Sequence, residues 1–421
     1  MNSHTTQNLS VERLTLLYEI SQSINSSLNV DEVLTNIIDA VITNLHAERG
    51  FVMLIGLEDG VSFHIARGLD QRTIEQPEFQ VSRGVIDRVI ETWEAVLTSN
   101  AQNDPRFDSS KSIRGLQLRS IMCAPMQVKE KLIGVIYVDN RLVSGIFRDL
   151  DLSFLNAIAN SAGAAVENAR LYQIALDQAK MEEEMRMARN IQVSLLPETP
   201  PALAGWNFVA SWIPARQVSG DFYDFIDMSD GKQGFVIGDV TDKGLPAGLF
   251  MVFARSALRK ALENHSHPAQ AMIAANQTIC TEARMGLYVT LIFGALDPEK
   301  GELTFINAGH NPALHYRVAQ SRIERLMPTG IPMGIDETFT FHQKTIQLEP
   351  GDFIVLYTDG ITEAINRVEE EYGTERLESV VFANRNQAMG EISTAIQDSV
   401  KAFAQECFPF DDTTLLLVGR E

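Results

Sequence analysis

The chain has 421 residues, 45% hydrophobic and 21% charged, a globular composition with too much chain for one ordinary core. Two domains and a connector are therefore expected. A formal net charge of −20 argues against nucleic acid or an anionic membrane surface as the main partner.

Cys123, Cys280 and Cys407 stand far apart, with no CxxC pair. That spacing excludes a disulfide framework or a thiolate zinc site and fits a reducing compartment. Met1 to Ser10 is polar and lacks the basic-then-apolar pattern of a secretory leader. No apolar run reaches the roughly 18 residues of a membrane span, so a cytosolic protein is expected.

In chain order, Val33, Leu34, Ile37, Ile38, Val41 and Leu45 recur at i, i+3, i+4 spacing and predict an amphipathic helix over 31–45. Asn29 or Asp31 can cap its start and Gly50 is expected to end it. Phe51 to Ile55 reads as a buried strand. Ser120 to Val128 and Leu132 to Val138 read as a strand pair joined by Lys129-Glu130-Lys131. Leu152, Leu155, Ile158, Ala162 and Val166 mark another helix. Helices flanking a mostly antiparallel sheet make residues 10–165 an α+β domain of sensor size.

This region resembles a GAF domain. The likeness rests on L-L-Y-E-I-S-Q-S-I-N (Leu16 to Asn25), R-G-F-V-M-L (Arg49 to Leu54), the hairpin from Ser120 to Asn140 and the exit helix from Ala157 to Tyr172, in that order. The resemblance implies a small ligand or simple dimerisation, but no N-K-x-F-x-D-E signature of a cyclic-nucleotide GAF is present. The ligand, if there is one, is unknown. Cys123 falls inside a buried strand and reads as a core residue rather than a chromophore or redox site.

Residues 166–198 form a helical linker. Leu171, Ile174, Gln178, Met181, Met185, Ala188, Gln192 and Leu195 alternate three and four apart, a heptad seam carrying two glutamines. This pattern predicts a homodimer joined along the helix, with the glutamines making the pairing adjustable. A helix packed on its own domain is the competing reading. Pro197, Pro200 and Pro201 stop the helix.

From Trp206 the pattern changes to short strands rich in β-branched and aromatic residues, such as Gly234 to Val240, Val289 to Leu296, Leu303 to Asn307, Phe353 to Tyr357 and Thr413 to Val418. Acidic residues stand at their ends: V-S-G-D-F-Y-D-F (Val218 to Phe225), I-G-D-V-T-D-K-G (Ile237 to Gly244), L-Y-T-D-G-I-T-E-A (Leu356 to Ala364) and F-D-D-T-T (Phe410 to Thr414). Singly, each is an ordinary turn. Together they place several carboxylates at one mouth, where they repel one another unless a cation neutralises them. An all-oxygen set selects Mg²⁺ or Mn²⁺ over zinc.

The four motifs, in this order, resemble the SpoIIE-type branch of the PPM metal-dependent protein serine/threonine phosphatases. So do R-N-I-Q-V-S-L-L-P (Arg189 to Pro197), G-L-P-A-G-L-F (Gly244 to Phe250), F-I-N-A-G-H-N-P (Phe305 to Pro312) and L-E-P-G-D (Leu348 to Asp352). A GAF domain ahead of such a phosphatase is similar to bacterial stress-response regulators of the RsbU kind. The resemblance implies an α-β-β-α sandwich over residues 199–421 with two ions, Mn²⁺ or Mg²⁺, at one edge. Asp239 would bridge both ions and the Val240 carbonyl would add a ligand. Asp359 and Asp411 would hold one ion, and Asp221 would join from the first strand pair. Asp221 and Asp239 are thus the candidate catalytic residues, with a hydroxide shared by the ions attacking phosphorus in line.

Arg216 is a candidate phosphate grip, and Asp224 and Asp412 are candidates for supporting the ligands. His310, in N-A-G-H-N-P, is weighed as a general acid and reads better as a histidine satisfied by backbone. Lys243 could meet phosphate or solvent. The expected activity is removal of phosphate from serine or threonine of a partner protein, of the anti-sigma-factor-antagonist type by resemblance. A catalytically inactive sensor or scaffold is the alternative, and the retained carboxylates count against it.

Overall fold

The structure is a computed structural model and describes the chain except residues 1, 25, 57–60, 71, 108–110, 283–285 and 406–410. Cys407 and Phe410 lie outside the described residues. The chain divides into two compact units, 1–180 and 181–421.

The first unit contains α1 (Asn2–Ile24), α2 (Val30–Leu45), β1 (Arg49–Ile55), β2 (Val61–Gly68), α3 (Arg83–Thr92), β3 (Val96–Thr98), α4 (Lys111–Gly115), β4 (Ser120–Val128) and β5 (Lys131–Asn140). The strands form an antiparallel sheet in the order β2-β1-β5-β4-β3. Alternate side chains separate two cores. Val52, Met122, Ala124, Ile136 and Val138 pack with α1 and α2, whereas Phe51, Met53, Cys123, Val135 and Tyr137 pack with α3. Cys123 is fully buried and its thiol is pushed far up by burial, which makes it the core residue expected.

Asn29 caps α2, its Oδ1 accepting from the N–H groups of Asp31 and Glu32 at 2.9 and 3.2 Å. Gly50, expected to end that helix, lies inside β1 instead. The stop is His46, in the left-handed region at φ 52°. Gly50 is needed for close packing: a Cβ there would sit 2.6 Å from Ile38 Cδ1.

The exit helix and the linker are one element, α5 (Asp149–Leu195), 47 residues long. The seam changes character along it. Leu171, Ile174 and Met181 are 55%, 44% and 60% exposed, but Gln192 is 3% exposed. Gln192 is therefore not an adjustable seam position; the last turns of α5 pack into the second unit, as the competing reading held for that stretch.

The second unit continues with β6 (Trp206–Ile213), β7 (Phe222–Asp227), β8 (Gln233–Val240), α6 (Leu245–Asn264), α7 (Pro268–Glu282), β9 (Val289–Asp297), β10 (Glu302–Ala308), β11 (Ala313–Arg317) and β12 (Arg322–Leu326). It ends with β13 (Lys344–Gln347), β14 (Phe353–Tyr357), α8 (Asp359–Thr362), α9 (Gly373–Ala383), α10 (Met389–Ala404) and β15 (Thr413–Arg420). Two five-stranded antiparallel sheets form, β13-β10-β9-β8-β7 and β12-β11-β14-β15-β6. Phe235 and Ile237 face Ile354, Leu356, Leu416 and Val418 between the sheets. The intervening Val236 faces α6 and α7; Phe353, Val355, Leu415 and Leu417 face α9 and α10. This is the α-β-β-α sandwich that the sequence resemblance implied.

Candidate active site

The register of the two sheets gathers the acidic residues at one edge. Phe222 pairs with Gly238 and Tyr357 with Leu415, so the start of β7, the end of β8, the end of β14 and the start of β15 lie together. Asp221, Asp239, Asp359, Asp411 and Asp412 occupy those ends. Asp239, Val240, Asp359 and Asp411 line a cleft of about 240 Å³, together with Lys243, Tyr288, Thr290, His310 and Asn311.

Asp221 sits behind Asp239 rather than on the cleft wall. It is 1% exposed, and its Oδ2 accepts from the hydroxyls of Thr358 and Thr414 at 2.7 and 2.6 Å. The Asp221 and Asp239 carboxyl groups are close enough to repel one another. Burial first, then the charge of Asp359, pushes Asp239 up to about 8. Burial and Asp239 raise Asp221 well above the usual carboxylate range. Asp359 is pushed up to about 6 by burial and then by Glu363 and Asp411.

These residues fit a divalent cation in chemistry, because the donors are carboxylate and carbonyl oxygens whose mutual repulsion a cation would relieve. They are not closed into a cage. Among the described residues no three such side chains approach closely enough to hold an ion as they stand. Lys243 Nζ lies 2.7 Å from Asp411 Oδ2.

The supporting residues divide differently from the sequence expectation. Asp412 clasps the loop before β7, its carboxylate accepting from the N–H groups of Ala215 and Gly220 at 2.7 and 3.0 Å. Arg216 is exposed on that clasped loop. Asp224, expected beside the metal ligands, belongs elsewhere. It is fully buried against α6, paired with Arg255 at 2.9 Å and Arg259 at 2.5 Å, so it ties β7 to the helix. Its position follows from strand alternation, since Asp221 lies three residues away and outside the strand.

His310 is 3% exposed. Its Nε2 lies 3.1 Å from the Tyr357 carbonyl and its Nδ1 2.8 Å from Thr290 Oγ1. A carbonyl only accepts, so Nε2 carries the proton and Nδ1 accepts from the hydroxyl. Burial holds its pKa down at about 4. The ring is neutral at working pH and both nitrogens are occupied, which removes it from proton donation.

Three contributors escaped the sequence reading. Thr358 and Thr414 flank the recognised acids in T-D-G and D-D-T-T, but nothing in the pattern says their hydroxyls converge on Asp221. Gln192, at the end of α5, donates from Nε2 to the carbonyls of Ser219 and Gly248 at 3.0 and 3.1 Å and accepts from the Ser219 N–H at 3.1 Å. It thereby fixes the residues just before Asp221 and the first turn of α6. Gln192→Ala leaves those buried groups unpaired and is expected to cost about 1–3 kcal/mol, read as a lower urea midpoint with an unchanged slope. An unchanged midpoint would mean that water replaces the amide.

Residues 229–421 match the family model described as Stage II sporulation protein E (SpoIIE), and residues 29–166 match the GAF domain model. The chain joins a GAF domain to a SpoIIE-type phosphatase domain. The SpoIIE match begins downstream of Asp221. "Protein IcfG" of Synechocystis sp. is 33% identical over 264 residues, covering 56% of this chain and 41% of that protein's length. "Phosphoserine phosphatase RsbU" of Bacillus subtilis is 29% identical over 246 residues, covering 58% of this chain and 72% of RsbU. The SiaA-PP2C domain of Pseudomonas aeruginosa shares the fold: TM-score 0.53 at 20% identity, over 59% of this chain and 99% of that one. The SpoIIE-type domain thus has the PP2C architecture, with the carboxylate edge where its two sheets meet.

Proposed function

We propose that this protein is a divalent-metal-dependent phosphatase that removes phosphate from serine or threonine of a partner protein. One observation carries the reading: acids from three separate segments line one cleft with Asp221 of a fourth behind them, and burial and like charge drive Asp239 up to about 8. Such an arrangement is costly without a cation. Asp239, Asp359, Asp411 and the Val240 carbonyl would hold two Mn²⁺ or Mg²⁺ ions, with Asp221 orienting Asp239 from behind or joining the set. When bound, the ions would activate water and offset charge on the phosphoryl oxygens. Asp412 and Gln192 hold the loop before Asp221 in place, and His310 buttresses β14 beneath the cleft without moving a proton.

The name of RsbU, a phosphoserine phosphatase, supports the substrate class. A phosphoprotein of the anti-sigma-factor-antagonist type is the proposed partner, with the GAF domain as the regulatory input. The same reading places the protein in the cytoplasm. No helix among the described residues is long and apolar enough to cross a membrane. The test is hydrolysis of p-nitrophenyl phosphate by the full chain with and without Mn²⁺. Turnover that ignores Mn²⁺ and EDTA, or none under any condition, sinks the proposal.

A homodimer belongs to the same proposal, supported by the exposed apolar residues of α5 between Leu171 and Met181. Light scattering at micromolar concentration should give twice the chain mass, and Ile174→Glu with Met181→Glu should return it to one. A monomeric wild type would remove the dimer.

A further inference from the structure

Lys243 is the one cationic side chain among the described residues lining the cleft, since His310 is neutral. It sits in the short turn between β8 and α6, flanked by Asp242 at φ 72° and Gly244 at φ 81°. Those left-handed conformations reverse the chain tightly and place the side chain over the carboxylate edge. Its ammonium is 2.7 Å from Asp411 Oδ2, with the two side chains 32% and 25% exposed. Asp411 thus already has a cation, and the surrounding acids are not closed into a cage.

We infer that Lys243 is a resident counter-ion of the cleft, holding the place on Asp411 that a divalent cation has to take. Metal loading is then an exchange: the ammonium leaves Asp411 as the ion arrives. The displaced ammonium stays tethered at the cleft wall by its turn, where it can meet a phosphate dianion as the cationic side chain among the described residues lining the cleft. A flexible four-carbon stem permits this change of partner, which a planar guanidinium held by two bonds would resist. The inference rests on the metal-dependent reading above.

The experiment is Mn²⁺ titration by calorimetry of the full-length wild type, Lys243→Gln and Lys243→Arg, after thermal melts establish that each is folded. Removing a competing, partly exposed ion pair should tighten Mn²⁺ binding about fivefold in Lys243→Gln. Lys243→Arg should stay within about twofold of wild type or bind more weakly. With p-nitrophenyl phosphate, Lys243→Gln should raise KM about tenfold and change kcat less. Unchanged or weaker Mn²⁺ binding in Lys243→Gln overturns the exchange while leaving the phosphatase reading intact. An unchanged KM overturns the second role of the ammonium. A wild type that binds no Mn²⁺ overturns both the exchange and the metal-dependent reading.

Discussion

Asp239→Asn is expected to abolish turnover and, at the same time, to raise the melting temperature of the metal-free protein. Asparagine keeps the shape, but it removes the carboxylate proposed to hold both ions. A loss of about a thousandfold or more in kcat with Mn²⁺ should follow. The stability gain follows from linkage. Asp239 is raised in the folded protein to about 8 from an ordinary 3.8. Its stabilising contribution is complete below the lower value and is lost as pH climbs through the higher one, because the native state then holds the extra proton. Wild type and variant should therefore melt alike near pH 4 and diverge as pH rises towards 8, the variant being the more stable. EDTA-treated samples melted across that range test this directly. Parallel curves would mean that Asp239 is not strained by its neighbours. Saturating Mn²⁺ should reverse the order by stabilising only the wild type.

The second large effect belongs to the GAF domain. Arg49 and Asp139 form a two-pronged bridge at 2.9 and 2.6 Å, with side chains 5% and 0% exposed. Asp139→Ala strands a guanidinium that cannot lose its proton, at a cost of about 3–5 kcal/mol. Arg49→Met should be milder in acid. Its orphan carboxyl can take up a proton, and burial already pushes it that way. The Arg49→Met protein should lose stability as pH rises, whereas Asp139→Ala should be unstable at every pH. Urea melts at acidic and alkaline pH separate the two. Equal pH dependence in both variants would contradict the bridge as the source of the cost.

Much of this fold was legible because its strands bury both faces and so read as short apolar runs. The apolar runs place Phe353–Tyr357 to the residue and the paired strands of the GAF hairpin within two. Polar or half-exposed strands such as β2, β12 and β13 gave no such run, and their pairing is fixed by neighbours distant in sequence. The acids were legible as a set because each ends a strand. Which of them face the cleft was not, since that depends on register: Asp221 and Asp224 lie three residues apart, yet one backs Asp239 and the other holds two arginines of α6. Gln192 misled for a similar reason. Its heptad spacing is genuine, but its last turns meet a loop and a helix start that no local pattern announces.

Strand β8 carries two cores and one chemical group on a period of two. Phe235 and Ile237 fill the space between the sheets, Val236 fills the other side, and Asp239 continues the frame to the cleft. Deleting or inserting one residue between Gln233 and Val240 would act as a frameshift in space, exchanging both cores and turning the acid away together. Folding and the proposed catalysis thus share one reading frame along eight residues. Length changes belong in the connection ahead of the strand, residues 228–232, so a lineage that drifts in size must do so without passing through this strand.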